Sequence, residues 1–110
     1  MEPVLLVITN LADADSARTM ARALVQRRLA ACVNMLPAVQ SVYRWRDAIE
    51  EAAEVTLVIK TTAARYAELE QAIRTLHPYE LPEIIAVPVS AGLPAYLDWI
   101  AQETRKEIDV

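Results

Sequence analysis

Two long extended segments that meet at one short turn constrain this chain more than any other feature of it. Cys32-Val33-Asn34-Met35-Leu36 and Val39-Gln40-Ser41-Val42-Tyr43-Arg44-Trp45 form one run, and Glu50 to Thr61, centred on Val55-Thr56-Leu57-Val58-Ile59, forms the other. A turn near Asp47-Ala48 returns the second along the first, which predicts a hairpin of unusual length. Pro37 has no amide proton to give to a ladder, so a bulge or bend is expected to split the first strand. Beyond it Tyr43 and Trp45 share one strand face, and Val42, Arg44 and Arg46 share the other.

The segments around the hairpin alternate in period. Val4-Leu5-Leu6-Val7-Ile8-Thr9-Asn10 is short, apolar and β-branched, as in a strand covered on at least one face. Asp13 or Asp15 can cap a helix whose stripe is Ala17, Met20, Ala21, Leu24 and Val25. Thr61 or Thr62 can cap a second, with Tyr66, Leu69, Ile73 and Leu76 on one side and Pro78 as its stop. Glu83 to Val89 reads as a strand, with Pro88 marking an edge or an irregular end. Gly92, the only glycine, makes the turn into a last helix, where Pro94 suits the first turn and Tyr96, Trp99 and Ile100 form the stripe. The tail from Thr104 is expected to fray. The order is βαββαβ followed by a helix, which predicts an α+β, ferredoxin-like domain spanning residues 1–110, with two helices on one face of an antiparallel sheet. The other face needs a cover, and partner subunits are a natural way to bury it and pair the sheet edges.

Composition excludes several functions. A net charge of −4 argues against binding a phosphate backbone, which needs clustered lysine and arginine, and six aromatic residues would make only a thin platform for bases. The 55% hydrophobic content includes many alanines, so it is mild evidence for oligomerisation. Glu50, Glu51 and Glu54 read as a solvated hairpin surface. A single cysteine cannot form an internal disulfide and suits a reducing compartment. The opening apolar run is too short for a secretory segment or a membrane span, so the expectation is a cytoplasmic protein with no nucleic-acid or membrane partner.

His77-Pro78-Tyr79-Glu80-Leu81-Pro82-Glu83-Ile84-Ile85 places the only histidine beside a tyrosine, two prolines and two carboxylates. Imidazole and carboxylate bind divalent metals or move protons near neutral pH. Equally, the residue before proline leaves the helical region, and a histidine there can end a helix by bonding a carbonyl. Glu80 and Glu83 are an odd number of residues apart and cannot share a regular strand face, although a proline-bent loop can converge them. Alternatively Glu83 begins the strand and pairs with a basic residue such as Lys60 or Arg44 across a subunit boundary. Cys32 is either a small buried hydrophobe or a ligand for Cu(I) or zinc, with no cation near it in the local sequence. Tyr43, Trp45 and Trp99 suit packing at subunit contacts, and Lys60 is either solvated or lines an intersubunit pocket. No nucleophile elbow, P-loop, dinucleotide glycine pattern or HExxH is present, so no catalytic reaction is indicated.

Taken in order, Ala30-Ala31-Cys32-Val33-Asn34, Ser41-Val42-Tyr43-Arg44-Trp45, Leu57-Val58-Ile59-Lys60-Thr61, His77 to Ile84 and Tyr96-Leu97-Asp98-Trp99-Ile100 resemble the CutA family of divalent-cation tolerance proteins. The resemblance runs from Val4 to about Glu103. It implies a ferredoxin-like protomer, a tight homotrimer and binding of divalent metals, copper above all, without an enzymatic activity. His77, Glu80 and Glu83 are the ligands it suggests, with Cys32 as a further contributor and Cu(II) or another divalent ion as cargo. Tyr43, Trp45, Lys60, Tyr79 and Trp99 are then expected at intersubunit packing or a pocket. The trimer is similar to that of the PII signalling proteins. The alternative is therefore a signalling or scaffolding trimer that binds a small molecule or partner protein in its intersubunit clefts.

Overall fold

The computed structural model describes residues 2–106. In chain order these form β1 (Val4–Leu11), α1 (Ala14–Gln26), β2 (Cys32–Trp45), β3 (Ala48–Thr62), a 3-10 turn (Ala63–Arg65), α2 (Tyr66–Leu76), β4 (Ile85–Pro88) and α3 (Pro94–Glu103). The strands make one sheet in the order β2-β3-β1-β4, with every neighbouring pair antiparallel. This is the ferredoxin-like arrangement that the element order predicts, with the extra C-terminal helix.

Alternation sorts the sheet into two faces. Val7, Thr9 and Leu11 of β1 lie across from Ile59, Leu57 and Val55 of β3, and all six are buried. Against them pack Ala17, Met20 and Leu24 of α1 and Leu69, Ala72 and Ile73 of α2. Each large aliphatic buried here contributes about 1.5–3 kcal/mol. Val25 and Leu76, expected on the helix stripes, fall at the last turns and stay exposed. Asp13 is the α1 cap, its carboxylate accepting the Ser16 amide at 2.7 Å. Thr61 and Thr62 do not cap α2. The Thr61 hydroxyl donates to the Leu29 carbonyl at 2.7 Å, Thr62 makes no side-chain cap, and the amide of Ala64 donates to the Glu2 carboxylate at 3.1 Å instead.

The hairpin turns at Arg46 and Asp47, one residue earlier than expected, and both have positive φ (49° and 66°). Its register shifts between Leu36 and Val39, with Ala38 at φ 60°, so the bulge sits at Pro37. The extra residues change parity. Before the bulge Cys32, Asn34 and Leu36 lie across from Lys60, Val58 and Thr56, on the face turned away from α1 and α2. After it Val39, Ser41 and Tyr43 lie across from Glu54, Ala52 and Glu50 on that same face.

β4 is shorter than the expected Glu83 to Val89, because Pro82 cannot donate and holds Glu83 and Ile84 in a loop before the ladder. Among the described residues it pairs only with β1, which makes it an edge and accounts for Pro88. Pro94 occupies the first turn of α3, as predicted. Gly92 has no positive φ. Its need is for space, since a Cβ would lie 3.0 Å from Leu97 Cδ2. Of the α3 stripe only Ile100 is buried. Thr104, expected to start a frayed tail, is also buried, its hydroxyl donating to the Ile100 carbonyl at 2.8 Å. Arg28 donates to the carbonyls of Gln102 and Arg105, and the remainder of the expected tail, 107–110, lies outside the described residues.

Candidate functional site

The second sheet face is covered by α3 at one end and by the His77 to Ile84 loop at the other. Pro78 forces His77 out of α2 into an extended conformation (φ −81°, ψ 132°). The ring, 7% exposed, turns back toward β1. Its Nδ1 accepts the Tyr79 amide proton at 3.2 Å, so Nε2 carries the ring proton and donates it to the Asn10 carbonyl at 2.6 Å. Both ring nitrogens are thereby engaged, in the helix-ending arrangement.

Asn10 is the hub that the sequence did not single out. Its side-chain amide donates to Glu83 Oε1 at 3.2 Å, and its Oδ1 accepts the Thr56 hydroxyl proton at 2.6 Å. A side-chain amide near the end of a mostly apolar strand is the available signal. Glu83 thus has an amide partner in its own chain and lies before the strand. Glu80 pairs instead with Arg46 at the hairpin turn, at 2.6 Å, and the Arg46 guanidinium stands 5.4 Å from the Trp45 ring centre.

Glu54 departs from the expected solvated surface. It is 9% exposed, and its Oε2 accepts the Tyr79 hydroxyl proton at 3.1 Å. Regular alternation along β3 puts Glu54 on the face of Thr56 and Lys60, and the parity change after Pro37 brings Tyr43 of β2 to that face as well. Burial first, and the bond to Glu54 second, push the Tyr79 phenol up to about 12. Between Ser41–Trp45 on one side and Tyr79–Ile85 on the other runs an open groove of about 950 Å³, with Asn10 and Glu54 also lining it.

Cys32 belongs to a different cluster. Lys60, directly across the β2–β3 ladder, places Nζ 3.9 Å from Cys32 Sγ and donates to the Tyr96 hydroxyl at 3.3 Å. The Tyr96 bond chiefly holds the Lys60 ammonium above its ordinary range. Trp99 stacks on Tyr96 with ring centres 5.5 Å apart. Lys60 faces Leu6, four residues along β1 from Asn10, so this cluster is roughly 13 Å from the loop anchor at 3.3 Å per residue.

A divalent metal needs several ligands around one point. Among the described residues no group of three His, Cys, Asp or Glu side chains converges in that way. One chain therefore brings Glu80 and Glu83 to the same groove, spends the His77 nitrogens on the loop and keeps Cys32 apart.

The CutA1 divalent ion tolerance protein family matches residues 5–103. The Divalent-cation tolerance protein CutA of Thermus thermophilus is 43% identical over 104 residues, which are 94% of this chain and 99% of that protein. Protein CutA of Mus musculus is 48% identical over 89 residues, 81% of this chain but 50% of that protein, so the chain spans about half the length of this relative. The crystal structure of CutA from Xylella fastidiosa is 48% identical and has a TM-score of 0.90, covering 93% of this chain and 98% of that one. The family match takes in residues 5–103, and the chain belongs to the CutA1 divalent ion tolerance family.

Proposed function

We propose that the protein serves divalent-cation tolerance by binding the ions themselves, copper(II) foremost, as a cytoplasmic homotrimer and without catalysing a reaction. Family membership carries this reading. The open sheet face supports association, since Leu36, Ile85 and Val87 are exposed on it and the outer edges of β2 and β4 have no partner strand among the described residues. Three as the number of copies comes from the family resemblance. Glu80 and Glu83 would meet the ion, completed by groups from a second copy, because one chain supplies too few ligands. His77 would join only by giving up the Tyr79 amide, and Cys32 would be a separate, softer site. The single thiol suits a reducing compartment, and no helix among the described residues is long and apolar enough to cross a membrane.

Calorimetric titration of copper(II) tests this on the wild type and on Glu80→Gln, Glu83→Gln, His77→Ala and Cys32→Ser. Loss of one carboxylate ligand is expected to weaken binding about tenfold, in line with the cost of one charged contact. Unchanged affinity in all four variants would sink the assignment. A second reading, a signalling trimer that holds a small molecule, is favoured by one observation, the groove beside the loop.

A further inference from the structure

We propose that Glu107-Ile108-Asp109-Val110 docks in the groove between α1 and α2, so that this acidic segment is the ligand of its own chain's helical face. The groove lies on the side of the sheet sealed by α1 and α2, so assembly through the open sheet face does not cover it. The inference is independent of copper binding and of the groove beside the His77 loop.

The last described residues stand at the mouth of this groove. The Arg28 guanidinium donates to the carbonyls of Gln102 and Arg105 at 2.8 and 3.0 Å, which fixes the end of α3 beside the end of α1. Lys106 then places Nζ 3.6 Å from Glu68 Oε1, and Glu68 lines the groove together with Arg27, Ala67, Gln71, Ala72 and Thr75. From Ala67 to Thr75 the α2 wall runs about 12 Å at 1.5 Å per residue. Four extended residues reach about 13 Å, so 107–110 match the groove from its mouth to its far end.

Charge favours the same placement. Residues 14–28 and 65–76, the two helices with their flanks, carry six arginines against three carboxylates, in a chain whose net charge is −4. Arg27 lines the groove and makes no ion pair among the described residues. Glu68 is already matched by Arg65 at 3.1 Å and by Lys106, which offsets its repulsion of an incoming acid. Glu107 and Asp109 alternate with Ile108 and Val110, and extension sorts two acids to one side and two aliphatics to the other. The aliphatic side fits over Ala67 and Ala72, whose small side chains leave room along α2, while the acidic side meets Arg27. A volume of about 360 Å³ suits a short extended segment rather than a helix, which is about 10 Å across. Because the segment is joined to Lys106, the contact forms at the millimolar effective concentration that a short link provides, and a shallow groove suffices.

Methyl NMR on the full chain labelled at alanine and isoleucine, in EDTA, reads the contact directly. The expected result is a nuclear Overhauser effect between the Ile108 methyl groups and the methyl of Ala67 or Ala72. Amide exchange at 108–110 should also be about fivefold slower than in the free peptide Lys-Glu-Ile-Asp-Val. Arg27→Glu should abolish both signals, whereas Arg18→Glu, the same charge change at a position outside the groove, should leave them. Combining Arg27→Glu with Glu107→Lys and Asp109→Lys should restore them. Absence of the cross-peak, with exchange as fast as in the peptide, overturns the proposal. A cross-peak that survives when isoleucine and alanine are labelled in separate chains and refolded together also overturns it, because the segment then docks on another copy. Equal effects of Arg27→Glu and Arg18→Glu overturn the pairing with Arg27.

Discussion

At the scale of single residues, the loop is fixed by pairs that cross long stretches of sequence. His77 bonds the Asn10 carbonyl, Tyr79 bonds Glu54, and Glu83 bonds the Asn10 side chain. The sequence makes His77 visible as a rare residue before a proline, but its choice between metal ligand and helix end depends on where the β1 terminus lies. Lys60 beside Cys32 is hidden for the same reason, because a cross-strand neighbour 28 residues away has no local mark. Tyr79 offers a direct test of how closed the loop is. Its phenol is held near 12 while an unfolded chain titrates near 10, so the folded state keeps a proton that the unfolded state releases. The stability this provides is complete below pH 10 and is lost as pH rises from 10 to about 12. Absorbance titration at 295 nm should show a tyrosine that ionises near pH 12 and disappears in Tyr79→Phe. Ionisation of every tyrosine near pH 10 in folded protein would mean that the phenol is not buried against Glu54.

At the scale of elements, most boundaries follow from proline and periodicity. Pro37 marks the bulge, Pro78 the end of α2, Pro88 the edge strand and Pro94 the start of α3. The strand and helix order is legible because each apolar pattern matches a single partner surface. What sequence does not reveal is the consequence of the bulge. Two residues between Leu36 and Val39 reverse the parity of β2, so that Tyr43 joins Glu54 on the face of Asn10 and Lys60. The same blindness hides the contact that satisfies the 3-10 turn before α2, where the Ala64 amide donates to Glu2 rather than to a neighbouring threonine. Ala38 occupies the left-handed region at φ 60°, where a Cβ costs about 1 kcal/mol that glycine avoids. Ala38→Gly is therefore expected to stabilise the protein by about 0.5 kcal/mol at most after glycine's greater unfolded-state entropy is subtracted. Guanidinium denaturation at fixed protein concentration measures this, and a loss of stability would show that the bulge does not hold Ala38 at positive φ.

At the scale of the whole molecule, one sheet face is finished and the other is not. α1 and α2 seal the first with a continuous apolar core. The second has α3 at one end, the anchoring loop at the other and exposed Leu36, Ile85 and Val87 in a sheet whose outer edges have no partner strand among the described residues. The need for a cover is legible from sequence, because two helices can seal only one face and the third is short. The geometry of the cover is not, since it depends on surfaces of another copy. Val87 is the better probe of the two exposed β4 residues because Ile85 also lines the groove. Placing an ammonium there would require desolvating a charge in any apolar contact, a penalty of several kcal/mol that association would have to overcome. In sedimentation the wild type is expected at three times the 12.3 kDa chain mass. Val87→Lys should shift toward the single-chain mass at micromolar concentration, with an unfolding midpoint that no longer rises with protein concentration. A wild type that sediments as one chain would refute assembly through this face, and an intact trimer in Val87→Lys would place the contact elsewhere on the surface.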